Sequence, residues 1–453
     1  MDRHAPVRLG LLGFGTVGQG VARILSEAAD EVRRRAGRPV EIARVVVRDA
    51  ERARCACDAL GLDPELVGTD ADALLADPDV DVVLELVGGT DAAGDWTRAA
   101  FEAGKHVVTA NKALVATRGE ALFEAARAAG VAWRFEAAVA GGIPVLKALE
   151  EGLAANRIEW LAGIINGTGN FILSEMAVRG RGFDEALSDA QALGYAEADP
   201  TFDVEGVDAA HKLAILASIA FDAPPSFDAV HVEGIASLEA ADVGFAAELG
   251  YRIKHLGIAR RRADDGGADG AARGEGLELR VHPALVPATR LLASVDGVNN
   301  AVVVHGHAVG STLYYGAGAG AGPTGSAVVA DVIDLCRCGG RAGDAVRTRD
   351  ARAPVPLPPA RFRSPFYLRI EAVDRPGVLA HVAGIFGAAG ISIEAILQKE
   401  PGGLGADGGE PTVPIILLTR EVREGTLREA VASVEALETV TGDVVVIRVE
   451  TLD

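Results

Sequence analysis

"VRLGLLGFGTVGQGVARILSE", residues 7–27, decides how the chain begins to fold. A short apolar strand runs into Gly13-x-Gly15-x-x-Gly18 and then into an amphipathic helix. Gly13 permits the tight turn, Gly15 lets a pyrophosphate approach the backbone, and Gly18 lets helix pack on strand. The helix start then offers free N–H groups and a positive dipole end to the phosphates. Strand, turn and helix in this order predict a dinucleotide site, with Phe14, Thr16 and Val17 completing the loop.

The second strand, "EIARVVVRD" (41–49), ends in Arg48 and Asp49. Arginine there can pair with a ribose 2′-phosphate, which tilts the expectation toward NADP, while Asp49 keeps NAD open. Further apolar strands, "DVDVVLELVGG" and "KHVVTANKALV", alternate with alanine-rich helices over 95–104 and 118–130. That rhythm predicts a parallel, doubly wound α/β Rossmann domain over 1–140. Ligands bind beyond the carboxyl ends of such strands. The segments carrying Thr90, Asn111 and Lys112 are therefore expected at the crevice.

At 453 residues the chain has room for two or three domains, and its abundance of small and aliphatic residues suits an α/β enzyme. A formal charge of −20 argues against nucleic acid or an anionic membrane as partner. No run of about twenty apolar residues and no signal-like segment occurs, so a cytoplasmic protein is expected. The four cysteines form two Cys-x-Cys pairs without the spacing of a metal site, and they read as reduced thiols.

A second stretch raises the chemical question. In "DVEGVDAAHKLAILASIAFD" (203–222), Asp208 and Lys212 are four apart and share one face of an apolar helix. Lysine is scarce: six of the 44 basic residues, at 105, 112, 147, 212, 254 and 399. The carboxylates Glu197, Asp199, Asp203 and Asp208 lie within twelve residues just before or beside Lys212. A lysine can give up a proton at working pH where an arginine cannot.

"GFGTVGQG", "TANKALV", "EAAVAGGIPV", "GIINGTGNFIL", "LGYAEADPTFDVEGVDAAHKLAIL" and "GAGAGAGPTGSAVVADV" follow one another over residues 10–333. Together they closely resemble homoserine dehydrogenases, which interconvert aspartate 4-semialdehyde and homoserine with NAD(P)H. The resemblance implies an acid–base role for Lys212 and a substrate- and nicotinamide-orienting role for Lys112. It implies that Glu197 and Asp208 bind homoserine, with Asp203 in the same block. It places Gly194 and Gly322 near the cofactor. It also implies a monovalent cation, sodium, held by Glu136, Val139, Gly141 and Ile143. It predicts an α+β catalytic and dimerising domain over 141–346, whose end (311–346) returns to the nucleotide domain. A homodimer or homotetramer is expected. Gly325 departs from the family's usual alanine and is expected to loosen the start of its helix.

Residues 260–276, charged and glycine-rich, read as a hairpin tip, and 347–363, rich in proline and arginine, as an extended linker. Beyond it, residues 364–453 follow a β-α-β-β-α-β order. "DRPGVLAHVAGIFGAAGISIEAI" is similar to ACT domains, ferredoxin-like modules that often bind an amino acid. The resemblance implies threonine as effector.

Overall fold

The computed structural model describes residues 5–263, 275–338, 354–398 and 411–453. The tip of the 260–276 hairpin and the first part of the expected linker lie outside these. By compactness the chain falls into two units, each assembled from three separate segments. The first comprises Met1–Gly167, Val207–Val230 and Val298–Pro354; the second comprises Thr168–Gly206, His231–Gly297 and Val355–Asp453.

In the first unit, β1 (Val7–Leu12), β2 (Val40–Val46), β3 (Val67–Gly68), β4 (Val82–Glu85), β5 (His106–Thr109) and β6 (Trp133–Arg134) form an all-parallel sheet. The spatial order is β3-β2-β1-β4-β5-β6. Strand order therefore reverses between β1 and β4, where Rossmann folds bind their ligands. β4 and β5 are buried along their whole length because helices cover both faces.

The helix Ala321–Arg337 returns to this unit and lies across Thr16–Glu27. A Cβ on Gly325 would sit 2.9 Å from the carbonyl carbon of Gly20, and one on Gly20 would collide with Ala321. The absence of a side chain at Gly325 is thus what lets the two helices touch, rather than a weakness at a helix start.

The second unit holds the long hairpin Tyr251–Ala263/Glu275–Pro287, paired from Tyr251↔Pro287 to Ala263↔Glu275. The strand Val445–Val449 joins Glu275–Pro287 in parallel, through Ala284↔Arg448 and Leu285↔Val449. Three antiparallel strands then follow: Phe366–Val373, Thr412–Thr419 and Ile393–Gln398. The expected ACT module is thus a continuation of the hairpin's sheet.

Its strands alternate between two buried faces. Phe366, Leu368 and Ile370 pack with the module's own helices, Val378–Ala388 and Glu424–Glu435. Tyr367, Ile416, Leu418 and Ile447 pack with Phe171, Ile172 and Met176. Tyr367 Oη donates to Asp242 at 3.0 Å, and Arg369 makes a two-pronged contact to the same carboxylate at 2.8 and 3.1 Å. The described part of the expected linker is not free either. Val355 pairs with Gly276, and the Leu357 amide donates to the Leu277 carbonyl at 2.9 Å.

Candidate active site

The first turn of Thr16–Glu27 carries no acidic residue, and its N-cap, Gly15, has no capping side chain, so the leading amides are left for a ligand. Gly13 adopts φ 100°, and a Cβ there would press on the Leu86 carbonyl at 2.7 Å. A Cβ on Gly15 would meet nothing within 4 Å, whereas one on Gly18 would strike the Gly13 carbonyl. The three glycines divide the work as the motif predicts, with Gly15 facing open space.

A cavity of about 770 Å³ opens there, lined by Gly13, Phe14, Gly15, Arg48, Arg52 and Trp96 among others. Thr16, Val17, Gly18, Thr90 and Gly322 stand at or beside helix starts and do not line it. Arg48 and Asp49 are both exposed at the end of β2. The Asp49 carboxylate accepts the Arg52 amide at 3.1 Å, capping the helix Ala50–Ala59. Arg48, Asp49 and Arg52 are the cavity's charged groups on this side. The residues present fit a dinucleotide.

The helix Lys112–Ala129 begins at Asn111, whose side chain accepts the Leu114 amide at 3.1 Å, and ends at left-handed Gly130. It packs against Val207–Phe221 and so carries Lys112 to Asp208. Lys112 Nζ lies 2.9 Å from Asp208 Oδ1. Lys212 Nζ lies 2.7 Å from Asp208 Oδ2 and donates to the Ile165 carbonyl at 2.8 Å. Asn166 Nδ2 donates to the same Oδ2 at 2.8 Å.

Asp208 is 3% exposed. Burial by itself would raise its carboxyl, but the ammonium groups of Lys212 and Lys112 outweigh it and hold the carboxyl well below the usual range. The two lysines are less enclosed, at 12% and 34% side-chain exposure, so the cluster turns cations toward solvent and hides its anion. Each Asp208 oxygen serves a lysine, so the substrate contact expected of Asp208 lies within the lysine cluster.

Gly194, Glu197 and Asp203 belong to the second unit. Glu197 is exposed and Asp203 half-buried. Sequence reading missed Asn166, Ile165 and Glu85. Asn166 had a visible signal, a polar residue directly after an apolar strand. The Glu136 carboxylate accepts the amides of Leu146 and Lys147 at 3.0 and 2.8 Å, which fixes its side chain. Ala140 and Gly141, both left-handed at φ 53° and 51°, shape the carbonyl turn beside it.

Burial raises Cys57 and pushes Cys336 up to about 11, so neither buried thiol is poised as a nucleophile, and all four cysteines are free.

A Rossmann sheet, an unblocked helix start and a lysine pair on a buried carboxylate define a nicotinamide-nucleotide-dependent oxidoreductase. Comparison with known proteins makes this specific. Residues 144–333 match the family model "Homoserine dehydrogenase", 13–136 match "Homoserine dehydrogenase, NAD binding domain", and 366–438 match "ACT domain". The chain is 54% identical to a homoserine dehydrogenase of Pseudomonas aeruginosa, covering 99% of this chain and 100% of that one. It is 48% identical to one of Neisseria gonorrhoeae, covering 99% of each. It is also similar to the crystal structure of a homoserine dehydrogenase from Thiobacillus denitrificans, with a TM-score of 0.91, 50% identity and 99% coverage of both chains. The chain belongs to the homoserine dehydrogenase family.

Proposed function

We propose that this oxidoreductase interconverts L-aspartate 4-semialdehyde and L-homoserine with NADP(H), and that Lys212 is its proton donor in the reducing direction. The observation that carries the reading is one buried carboxylate shared by Lys112 and Lys212. The bound nicotinamide supplies the hydride; the rest falls to the chain's own side chains. As the aldehyde carbon becomes tetrahedral, its oxygen gains negative charge that must be neutralised. Lys212 has three N–H bonds, two of them directed at Asp208 and the Ile165 carbonyl. The third is the proton for the alkoxide, and in the oxidising direction the neutral amine takes it back.

Lys112, the more exposed of the pair, orients the substrate oxygen toward the ring. Asp208 holds both ammonium groups in place and binds homoserine; the family resemblance assigns the substrate's ammonium to Glu197 as well, with Asp203 in the same block. Arg48 and Arg52, two arginines lining the cavity at the end of the second strand, favour NADP over NAD. Any monovalent cation is held by Glu136 with the carbonyls of Val139, Gly141 and Ile143. The ACT module takes threonine as a feedback effector of threonine and methionine synthesis. Four free thiols fit a reducing cytoplasm. Exposed Leu313 and Tyr315 on the strand Gly310–Ala317 support assembly with a second copy.

The test is steady-state homoserine oxidation with NADP⁺ and NAD⁺ for the wild type and Lys212→Ala. The variant is expected to lose at least ~100-fold in kcat, the scale of a missing general acid–base group, with NADP⁺ affinity unchanged by titration. Normal turnover in the variant overturns the role. Threonine is expected to slow the wild type, and an unchanged rate removes the effector from the proposal.

A further inference from the structure

One fully buried carboxylate in the nucleotide domain has no part in the reaction as described. Glu85 is the last residue of β4 and is 0% exposed. A carboxylate buried without a cation is unfavourable by several kcal/mol, roughly, unless its oxygens are well satisfied. Here they are satisfied by the two segments that lead to the crevice. Oε1 accepts the Val87 amide at 3.1 Å, and Oε2 accepts the Thr109 hydroxyl at 2.5 Å. The Thr109 oxygen in turn accepts the Asn111 amide at 2.9 Å. Asn111 closes the circuit: its Nδ2 donates to the Gly89 carbonyl at 2.7 Å while its Oδ1 caps Lys112–Ala129.

The circuit therefore locks the loop after β4 to the loop after β5, and the next residue along the chain is Lys112. An ordinary turn would leave the first helical residue free to fray. Here its backbone is pinned on the N-terminal side by a chain of hydrogen bonds rooted in the sheet. Val87 and Gly88, the other arm of the lock, line the nucleotide cavity. Such a residue holds a reacting group within the fraction of an ångström that chemistry needs.

We propose that Glu85 is a positioning residue for the reaction, acting through Thr109 and Asn111 to fix Lys112 against Asp208. The inference rests on the role given to Lys112 above. It predicts more than a stability loss, because its effect has to disappear when Lys112 is absent.

The experiment is a double-mutant cycle of Glu85→Ala and Lys112→Ala in the full-length enzyme. It reads kcat and KM for homoserine, NADPH Kd by titration calorimetry, and Tm. Glu85→Ala is expected to lower kcat about tenfold or more in the wild-type background, a scale typical of small misplacements. In the Lys112→Ala background it should change kcat less than about twofold, the two losses failing to multiply. Glu85→Gln, which retains a group bonded to Val87 and Thr109, should restore kcat to within about fivefold. Should Glu85→Ala fail to fold, Thr109→Val cuts the same circuit while keeping the shape and takes its place in the cycle. Multiplying losses, or a lowered Tm with unchanged kcat, overturn the inference. A Lys112→Ala enzyme with full activity would instead overturn the reading of Lys112, and the two results are distinguishable.

Discussion

Two buried charge clusters, one in each unit, are built oppositely. In the first unit two ammonium groups share one hidden carboxylate, and the cations keep contact with solvent. In the second, two carboxylates share a hidden cation, and the half-exposed Arg428 touches both from outside. Arg448, 1% exposed, donates to Glu233 at 2.8 and 2.9 Å and to Glu424 at 3.0 Å. His231 joins through Glu233 at 2.8 Å. His231, Glu233 and Glu424 lie close enough to hold a metal ion, but the guanidinium stands among them with its donors matched to their oxygens. Burial would raise Glu233, yet His231 and Arg448 hold it far below the usual range. The second cluster is charge-satisfied, its carboxylates matched by Arg448 and Arg428. The first hides an anion beneath two lysines and the second hides a cation beneath two carboxylates, and that difference separates a site from a structural joint.

The sharpest way to break the comparison is Arg448→Met. It removes the hidden cation beside buried Glu424 and part-buried Glu233, which keep Arg428 and His231, and should destabilise the protein by about 2–4 kcal/mol, toward the scale of breaking a buried pair. Chemical denaturation measures this, and kcat per folded molecule should stay near that of the wild type. A variant of unchanged stability would show the joint to be ornamental.

Asp208→Asn should invert that pattern. Its lysines can turn to water, so the stability loss is smaller, about 1–3 kcal/mol, while turnover collapses. The sign with pH follows from the depressed carboxyl. The stabilisation given by Asp208 is complete above its unfolded value near ~4 and fades as pH falls through the lower folded value. Denaturation of wild type and variant should therefore converge in strong acid; a constant gap would mean that Asp208 does not stabilise by its charge.

Arg48→Ala addresses the nucleotide end and is expected to have the smallest effect. NADPH Kd should rise about tenfold, near 1.4 kcal/mol, with NADH affinity almost unchanged. Equal effects on both coenzymes would show that Arg48 reads no phosphate.

Much of the first unit was legible because its signals are local. The glycine spacing in 13–18 and the strand–helix alternation are set by neighbours in sequence, and Asp208 with Lys212 is one helical turn. Lysine scarcity, by contrast, was a weak guide. Lys105 and Lys254 are also buried, yet Lys105 donates to the carbonyls of Asp77 and Val80, and Lys254 to that of Val295. The C-terminal module was legible as an element order but not in its attachment. Nothing in "GDVVVIRVE" says that Arg448 will pair beside Ala284 or meet Glu233.

By itself the sequence determined the dinucleotide crossover, the lysine–carboxylate helix and the βαββαβ tail, since each is written in spacing of one to four residues. Only the tertiary structure decided that Lys112 completes the site with Asp208, that Glu85 braces it, and that the tail's sheet extends the long hairpin. Those contacts join residues tens to hundreds of positions apart, and they exist because apolar faces that must be buried bring the chain together there.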